Sequence, residues 1–229
     1  MKTKLINILN TIIAMAIMQV IFLGCSQSPP LMINGVQLDD MQPIFNGKDL
    51  AGWTGNLDGY PVINGAITCK DGGNIYTKQT YADFVLAFDF QLTSGANNGL
   101  GIRAPLQGDA AYLGMELQVL DNSAAKYAKL KAWQYHGSIY GIVAAKKGSL
   151  KPVGQWNHQV VIANGRHIQV ILNGTTIIDA NLDVATTPKA VDNKNHPGAQ
   201  RAFGHIGFLG HGSVVAYKNI KIKMLNTIK

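Results

Sequence analysis

The sequence predicts an all-β chain, a single-domain β-sandwich of the jelly-roll kind, and three observations carry that expectation. Short runs of alternating apolar and polar residues recur along the chain, so successive side chains would face opposite sides of a sheet. Asn and Gly residues punctuate those runs where tight turns need positive φ. No long stretch shows the 3.6-residue period of an amphipathic helix, and no fixed internal repeat marks a propeller.

The N-terminal segment is read as an address rather than as structure. Lys2 and Lys4 precede an apolar run from Ile12 to Leu23, broken only by Gln19 and followed by Gly24-Cys25. A basic start, an apolar stretch and small residues at its end describe a bacterial export signal over residues 1–24. The run is short for a bilayer span of roughly 20 residues. Cysteine after Leu23-Gly24 resembles a lipobox, which makes Cys25 the expected lipid attachment point. Residues 25–42, with paired prolines, read as a tether, and the folded domain is expected over 43–229. No acidic cluster follows Cys25 directly, which favours a periplasm-facing lipoprotein of the bacterial cell envelope.

About 190 residues then remain, enough for one sizeable core and too few for two comfortable domains. The formal charge is +7 for the whole chain and +5 without residues 1–24, which hold two lysines and no acid. The lysines are scattered, with no aromatic-basic interleaving of the kind that binds nucleic acid, so no nucleic-acid partner is expected. With Cys25 lipidated, Cys69 has no partner; its alternating run, Ala66 to Cys69, marks it as a small buried residue.

Asp83–Thr93 is the clearest strand, with Phe84, Leu86, Phe88, Phe90 and Leu92 on one face and Val85, Ala87, Asp89 and Gln91 on the other. Further strands are expected at 100–104, 114–120, 139–143, 206–209 and 214–225. Asn164-Gly165 should join strands 159–163 and 167–172 as a hairpin, and Asn173-Gly174 should lead into 175–179. Residues 124–131 could form a short helix, and 183–203 read as a long loop. In the 114–120 strand, Met115, Leu117 and Val119 share one face while Glu116 and Gln118 share the other, with Asp121 just past its end. A sandwich with one curved sheet offers a concave face, and Glu116, Gln118 and Arg103 have the spacing to line it.

At this point the residues resemble a known family. Phe45-Asn46-Gly47-Lys48-Asp49-Leu50 followed by Trp53 is similar to the opening signature of the 3-keto-disaccharide hydrolase domain. The resemblance continues through Tyr81-Ala82-Asp83-Phe84, Gly95 to Gly99, Gly114 to Asn122, Gly137 to Gly141 and Trp156-Asn157. It then takes in His196-Pro197-Gly198, Gly204 to Gly207, His211-Gly212 and Asn219-Ile220, in order over nearly all of 43–225. Departures are Asn98 where the family commonly has Ser, His136 where it has Thr, and Tyr217-Lys218 where it has Phe-Arg. The resemblance implies a concanavalin A-like β-sandwich.

It also implies an enzyme that cleaves 3-keto-glucosides or 3-keto-disaccharides, as hydrolase or β-eliminating lyase. A ketone at carbon 3 acidifies the hydrogen on carbon 2, and the enolate left by its removal expels the group on carbon 1. Such chemistry needs a base, an acid and a stabiliser of the enolate. The roles fall to Glu116 and His211, interchangeable as acid and base, and to Arg103 as the positive group. A loop histidine without catalytic duty, and a structural ion pair of Arg103 with Asp109 or Glu116, remain open readings. Gln118, Asn98, Asp121, His136, Tyr140, Trp133 and Trp156 are candidate substrate contacts, although the three aromatics fit a core equally well.

No Rossmann-type glycine fingerprint occurs, so a separate sugar 3-dehydrogenase is the expected functional partner that makes the ketone. A divalent cation would help polarise that ketone; no cofactor or metal is assigned, for no metal-ligand spacing is present. Two other functions compete. A conventional retaining glycosidase would use Glu116 and Asp121, but Gln118 occupies the central acidic position of that signature. A non-catalytic, lectin-like carbohydrate-binding module would need only exposed aromatics over a polar face.

Overall fold

The structure, a computed structural model, describes residues 32–33, 36–37, 40–70 and 72–225. The export signal at 1–24, the lipid-bearing Cys25 and most of the 25–42 tether lie outside the described residues. Fifteen strands follow in chain order among those described. They are β1 (Met32–Ile33), β2 (Val36–Gln37), β3 (Gln42–Pro43), β4 (Trp53–Gly55), β5 (Val62–Ile63), β6 (Ala66–Cys69), β7 (Gly73–Tyr81) and β8 (Phe84–Leu92). Next come β9 (Asn97–Ala104), helix α1 (Ala110–Leu113), β10 (Met115–Leu120), β11 (Trp156–Asn164), β12 (His167–Leu172) and β13 (Thr175–Asn181). Helix α2 (Leu182–Ala185), β14 (Gly204–Gly210) and β15 (Val215–Met224) complete the order.

Two antiparallel sheets face each other. One has the order β10-β9-β14-β7-β4; the other runs β13-β12-β11-β8-β15-β6-β5, with β3 also paired to β15. The core between them is built from the inward positions of both. Phe84, Leu86, Phe88, Phe90 and Leu92 all enter it from β8, as their alternation predicts, together with Met115, Leu117 and Val119 from β10. An aromatic stack ties the sheets: Phe208 of β14 lies 3.8 Å from Tyr217 of β15 and 5.4 Å from Trp53 of β4. Cys69 is buried and forms no disulfide among the described residues. On the far side of β8, Val85 and Ala87 form a smaller cluster with Met41, Val160 and Ile162.

The differences from expectation are local. Residues 139–143 form no strand: Ile139 bridges both Leu117 and Val143, because Gly141 at φ 71° turns the chain back on itself. The first hairpin turn falls one residue late. Asn164 still pairs with His167, and Gly165 takes the positive φ of 54°. Asn173 and Gly174 both have positive φ, as a primed turn requires. The 124–131 segment holds only a 3₁₀ turn at Ala125–Tyr127, and the 183–203 loop holds part of α2 and a second 3₁₀ turn at Pro197–Gln200. On β15, Asn219 at φ 53° accompanies a bulge that moves the buried positions from Val215 and Tyr217 to Ile220 and Ile222, while Met224 at the strand end is exposed.

Candidate active site

Glu116 and Gln118 leave β10 on the face turned away from the core, opposite Met115, Leu117 and Val119. That outer face is organised in rows across the strands. Glu116 pairs with Gly101 of β9, Gly101 with Gly207 of β14, and Gly207 with Tyr76 of β7. The neighbouring row runs from Gln118 through Gly99 and Leu209 to Asn74. Glycine is used here for space. A Cβ on Gly99 would sit 2.0 Å from Glu116 Oε1, so the carboxylate lies directly over that residue. A Cβ on Gly207 would sit 2.5 Å from the Tyr76 ring.

His211 reaches the carboxylate from the turn after β14. Its Nε2–H donates to Glu116 Oε1 at 3.2 Å, and its side chain is 47 % exposed while that of Glu116 is 6 % exposed. The turn is fixed by Asn98, whose Oδ1 accepts from the His211 backbone N–H at 3.0 Å and whose Nδ2 donates to Ser213 O at 3.1 Å. The bond to Glu116 raises the imidazole pKa above its usual value of 6.5, the charges of Glu116 and Asp109 add to the effect, and burial opposes it. The pair therefore sets a carboxylate against an imidazole whose protonated form that carboxylate favours. Gln118 Oε1 is buried with no hydrogen-bond partner among the described residues, and such a group costs about 1–3 kcal/mol until something donates to it.

Tyr140 and Trp133 stand beside this pair. The Tyr140 backbone N–H donates to Glu116 O at 2.8 Å, and the two half-buried rings meet edge to face at 4.9 Å. Beyond them, Lys194 Nζ donates to Tyr112 Oη at 2.9 Å.

The other expected site residues lie elsewhere. Arg103 does not join Glu116: its guanidinium, 1 % exposed, bonds to Asp83 at 3.0 Å, Ala82 O at 3.0 Å and Gly165 O at 2.8 Å. The cause is local. A φ of 48° breaks the strand geometry at this residue and turns the side chain toward the 82–83 and 164–165 connections. His136 is a core residue, stacked on Phe90 at 4.9 Å. Its Nδ1 accepts from the Leu120 N–H and its Nε2–H donates to Gln159 Oε1 at 3.0 Å. Burial pushes its pKa down to about 4, so the ring stays neutral. Asp121 accepts from Gly95 N, Ser123 N and Ser123 Oγ, which makes it a turn former. Trp156 belongs to the other sheet, with Lys218 Nζ 3.9 Å from its ring centroid.

Asn98, expected as a substrate contact, is fully buried and serves the His211 turn. Tyr76 and Asn74 are groups near the pair that sequence reasoning missed; Asp109, offered there as a partner of Arg103, instead caps α1 through the Ala111 N–H, and Arg103 pairs with Asp83. Among the described residues no three His, Cys, Asp or Glu side chains converge as a metal site.

Residues 40–223 match the 3-keto-alpha-glucoside-1,2-lyase-like domain. The chain is 24% identical over 237 residues to a 3-keto-disaccharide hydrolase of Bacteroides thetaiotaomicron, covering 83% of this chain and 80% of that one. A solved glycosyl hydrolase candidate from Parabacteroides distasonis superposes with a TM-score of 0.73 at 28% identity, covering 81% of this chain and 99% of the other. A second structure of that description from the same organism gives 0.72 at 23% identity, covering 87% of this chain and 100% of the other. A carbohydrate-binding module from Bacillus subtilis shares the fold at a TM-score of 0.52 and 18% identity, covering 75% of this chain and 95% of the module.

Proposed function

The chain belongs to the 3-keto-alpha-glucoside-1,2-lyase-like family, and from that premise we propose that it is an enzyme cleaving 3-keto-glycosides at Glu116 and His211. The observation that carries the reading is the 3.2 Å pair itself, a carboxylate on a strand against an imidazole whose pKa is raised, over a stretch of sheet cleared by glycines.

The steps follow from those two groups. Glu116 takes the proton from carbon 2, whose bonding pair moves toward the carbon-3 ketone. As the enolate collapses, the carbon-1 to oxygen bond breaks, a double bond forms between carbons 1 and 2, and His211 protonates the departing oxygen. Water adding at carbon 1, its proton taken by the now neutral His211, with Glu116 returning its proton to carbon 2, turns the elimination into net hydrolysis and restores both groups. Gln118 Oε1 is suited to accept from a sugar hydroxyl, because it has no other donor. Trp133 and Tyr140 offer aromatic surface for the ring beside the pair. A separate sugar 3-dehydrogenase supplies the ketone.

The same reading includes one domain from residue 43, carried behind an export signal and held by lipid on Cys25 at the periplasmic side of the cell envelope. Loss of fatty-acid labelling in Cys25→Ser tests the anchor; persistent labelling overturns it. For the chemistry, the protein is incubated in heavy water with a 3-keto-glucoside and with the parent glucoside. Deuterium at carbon 2 together with cleavage of the ketone alone is the expected result. Cleavage of the unoxidised glucoside, or saturable binding with no turnover of either, would overturn the reading.

A further inference from the structure

Glu116 and Tyr76 stand at the two ends of one cross-strand row, with only Gly101 and Gly207 between them. Three strand spacings of ~4.8 Å separate their backbones by roughly 14 Å. Each side chain leans inward across that gap. The carboxylate lies over Gly99 of β9, and the Tyr76 ring lies over Gly207 of β14. The carboxylate and the aromatic ring are thereby brought onto adjacent central strands of the sheet, with the phenol oxygen held by Asn74 of β7. A Cβ at Gly99 or Gly207 would block these positions, so the glycines are what permit the approach.

The phenol is set up to donate. Asn74 Nδ2 donates to Tyr76 Oη at 3.0 Å, which occupies the oxygen as an acceptor. Among the described residues no acceptor takes the Tyr76 hydroxyl hydrogen. The residue is 4 % exposed, packed with Ala104, Ala110 and Leu209, so the ring is held in place rather than free to turn to solvent. Burial pushes the phenol pKa above its ordinary value; the bond from Asn74 opposes this and the charges of Glu116 and Asp109 add to it, so the net effect keeps the proton on the oxygen.

We infer that Tyr76 is a further catalytic residue of this site, its O–H donating a hydrogen bond to the carbon-3 oxygen as that oxygen gains charge. The inference rests on the reaction proposed above. It fills the position that Arg103, locked onto Asp83 in the interior, does not take. The proton stays on the phenol throughout: the hydrogen bond shortens as charge develops, and no bond in Tyr76 is broken.

The test is Tyr76→Phe in the full chain, read in two assays on a 3-keto-glucoside. Expected are a loss of about a hundredfold in kcat with KM little changed, and an equal loss in deuterium exchange at carbon 2. An equal loss in both places the donor at the enolate. Exchange at the wild-type rate with cleavage lost would overturn the assignment, because the donor would then serve the leaving oxygen. Full activity in Tyr76→Phe, with the wild-type enzyme active, would overturn it too. An inactive wild type would instead sink the reaction itself. Should Tyr76→Phe fail to fold, fluorotyrosine at 76 keeps the ring and makes the phenol more acidic. Its rate must then change, and an unchanged rate ends the proposal.

Discussion

Glu116 and His211 are 95 residues apart in the chain and 3.2 Å apart in space. One is fixed on a strand whose other face builds the core; the other hangs from a turn held by Asn98. Removing the carboxylate while keeping its shape, Glu116→Gln, should lower turnover of a 3-keto-glucoside by about 10²–10⁴-fold. Thermal melting should move little, since the Glu116 side chain lies outside the core. Full turnover in that variant would remove Glu116 from the mechanism.

The raised pKa of His211 has a defined sign. The folded state holds the imidazole proton more tightly than the unfolded chain, so its contribution to stability is fully present below pH 6.5. That contribution is lost as pH rises through the higher folded value. The Tm should therefore fall across this window, and part of the slope should vanish in Glu116→Gln. If His211 is the acid of the proposed cleavage, turnover should decline over the same window as it loses its proton. Melting curves with identical slopes in both proteins would contradict the pairing.

His136 works in the opposite direction. Its ring is neutral when folded, with a pKa near 4, whereas the unfolded imidazole protonates near 6.5. Its stabilising contribution is present above pH 6.5 and is lost as pH falls toward 4. His136→Ala should cost about 2–4 kcal/mol, through the cavity under Phe90 and the orphaned Leu120 N–H. Urea denaturation measures the cost. Activity per folded molecule should be kept, and its loss would return His136 to the site.

Gly99→Ala makes a sharper test than most active-site deletions. Gly99 does not need positive φ, but the added methyl would collide with Glu116 Oε1 and with its Cδ at 2.7 Å. The expected outcome is a folded protein with turnover reduced about as far as in Glu116→Gln. Wild-type kinetics would mean that the carboxylate can work from another position.

Arg103→Met should destabilise by about 3–5 kcal/mol, because it takes the cation out of a buried ion pair. Denaturation should show the loss, and kcat should stay within a small factor for the molecules that remain folded. A selective loss of kcat with stability intact would restore Arg103 to the chemistry.

The sandwich was legible because large apolar residues fall at every second position of its clearest strand and face the core. Phe84 to Leu92 alternate without interruption, and the ordered blocks from Phe45 to Ile220 identified the family that residues 40–223 match. Glu116 and Gln118 were placed on the outer face by the same alternation. Arg103 was misread for a physical reason: alternation puts it on that face, but its positive φ turns it inward, and no pattern of side chains reports a backbone dihedral. His136 could not be told from a ligand contact without seeing Phe90 beneath it. Tyr76 was missed because β7 carries Asn74, Thr77, Lys78, Gln79 and Thr80 and shows no clean alternation.

At Gly99 and Gly207 the working parts are defined by atoms that are missing. A one-base change to alanine at either codon would push a group on the adjacent strand, Glu116 or Tyr76, out of its place while leaving every reactive group present in the sequence. Inventories of acids, bases and aromatics would score such a protein as competent, so the two blanks need to be checked before any relative is assigned the same activity.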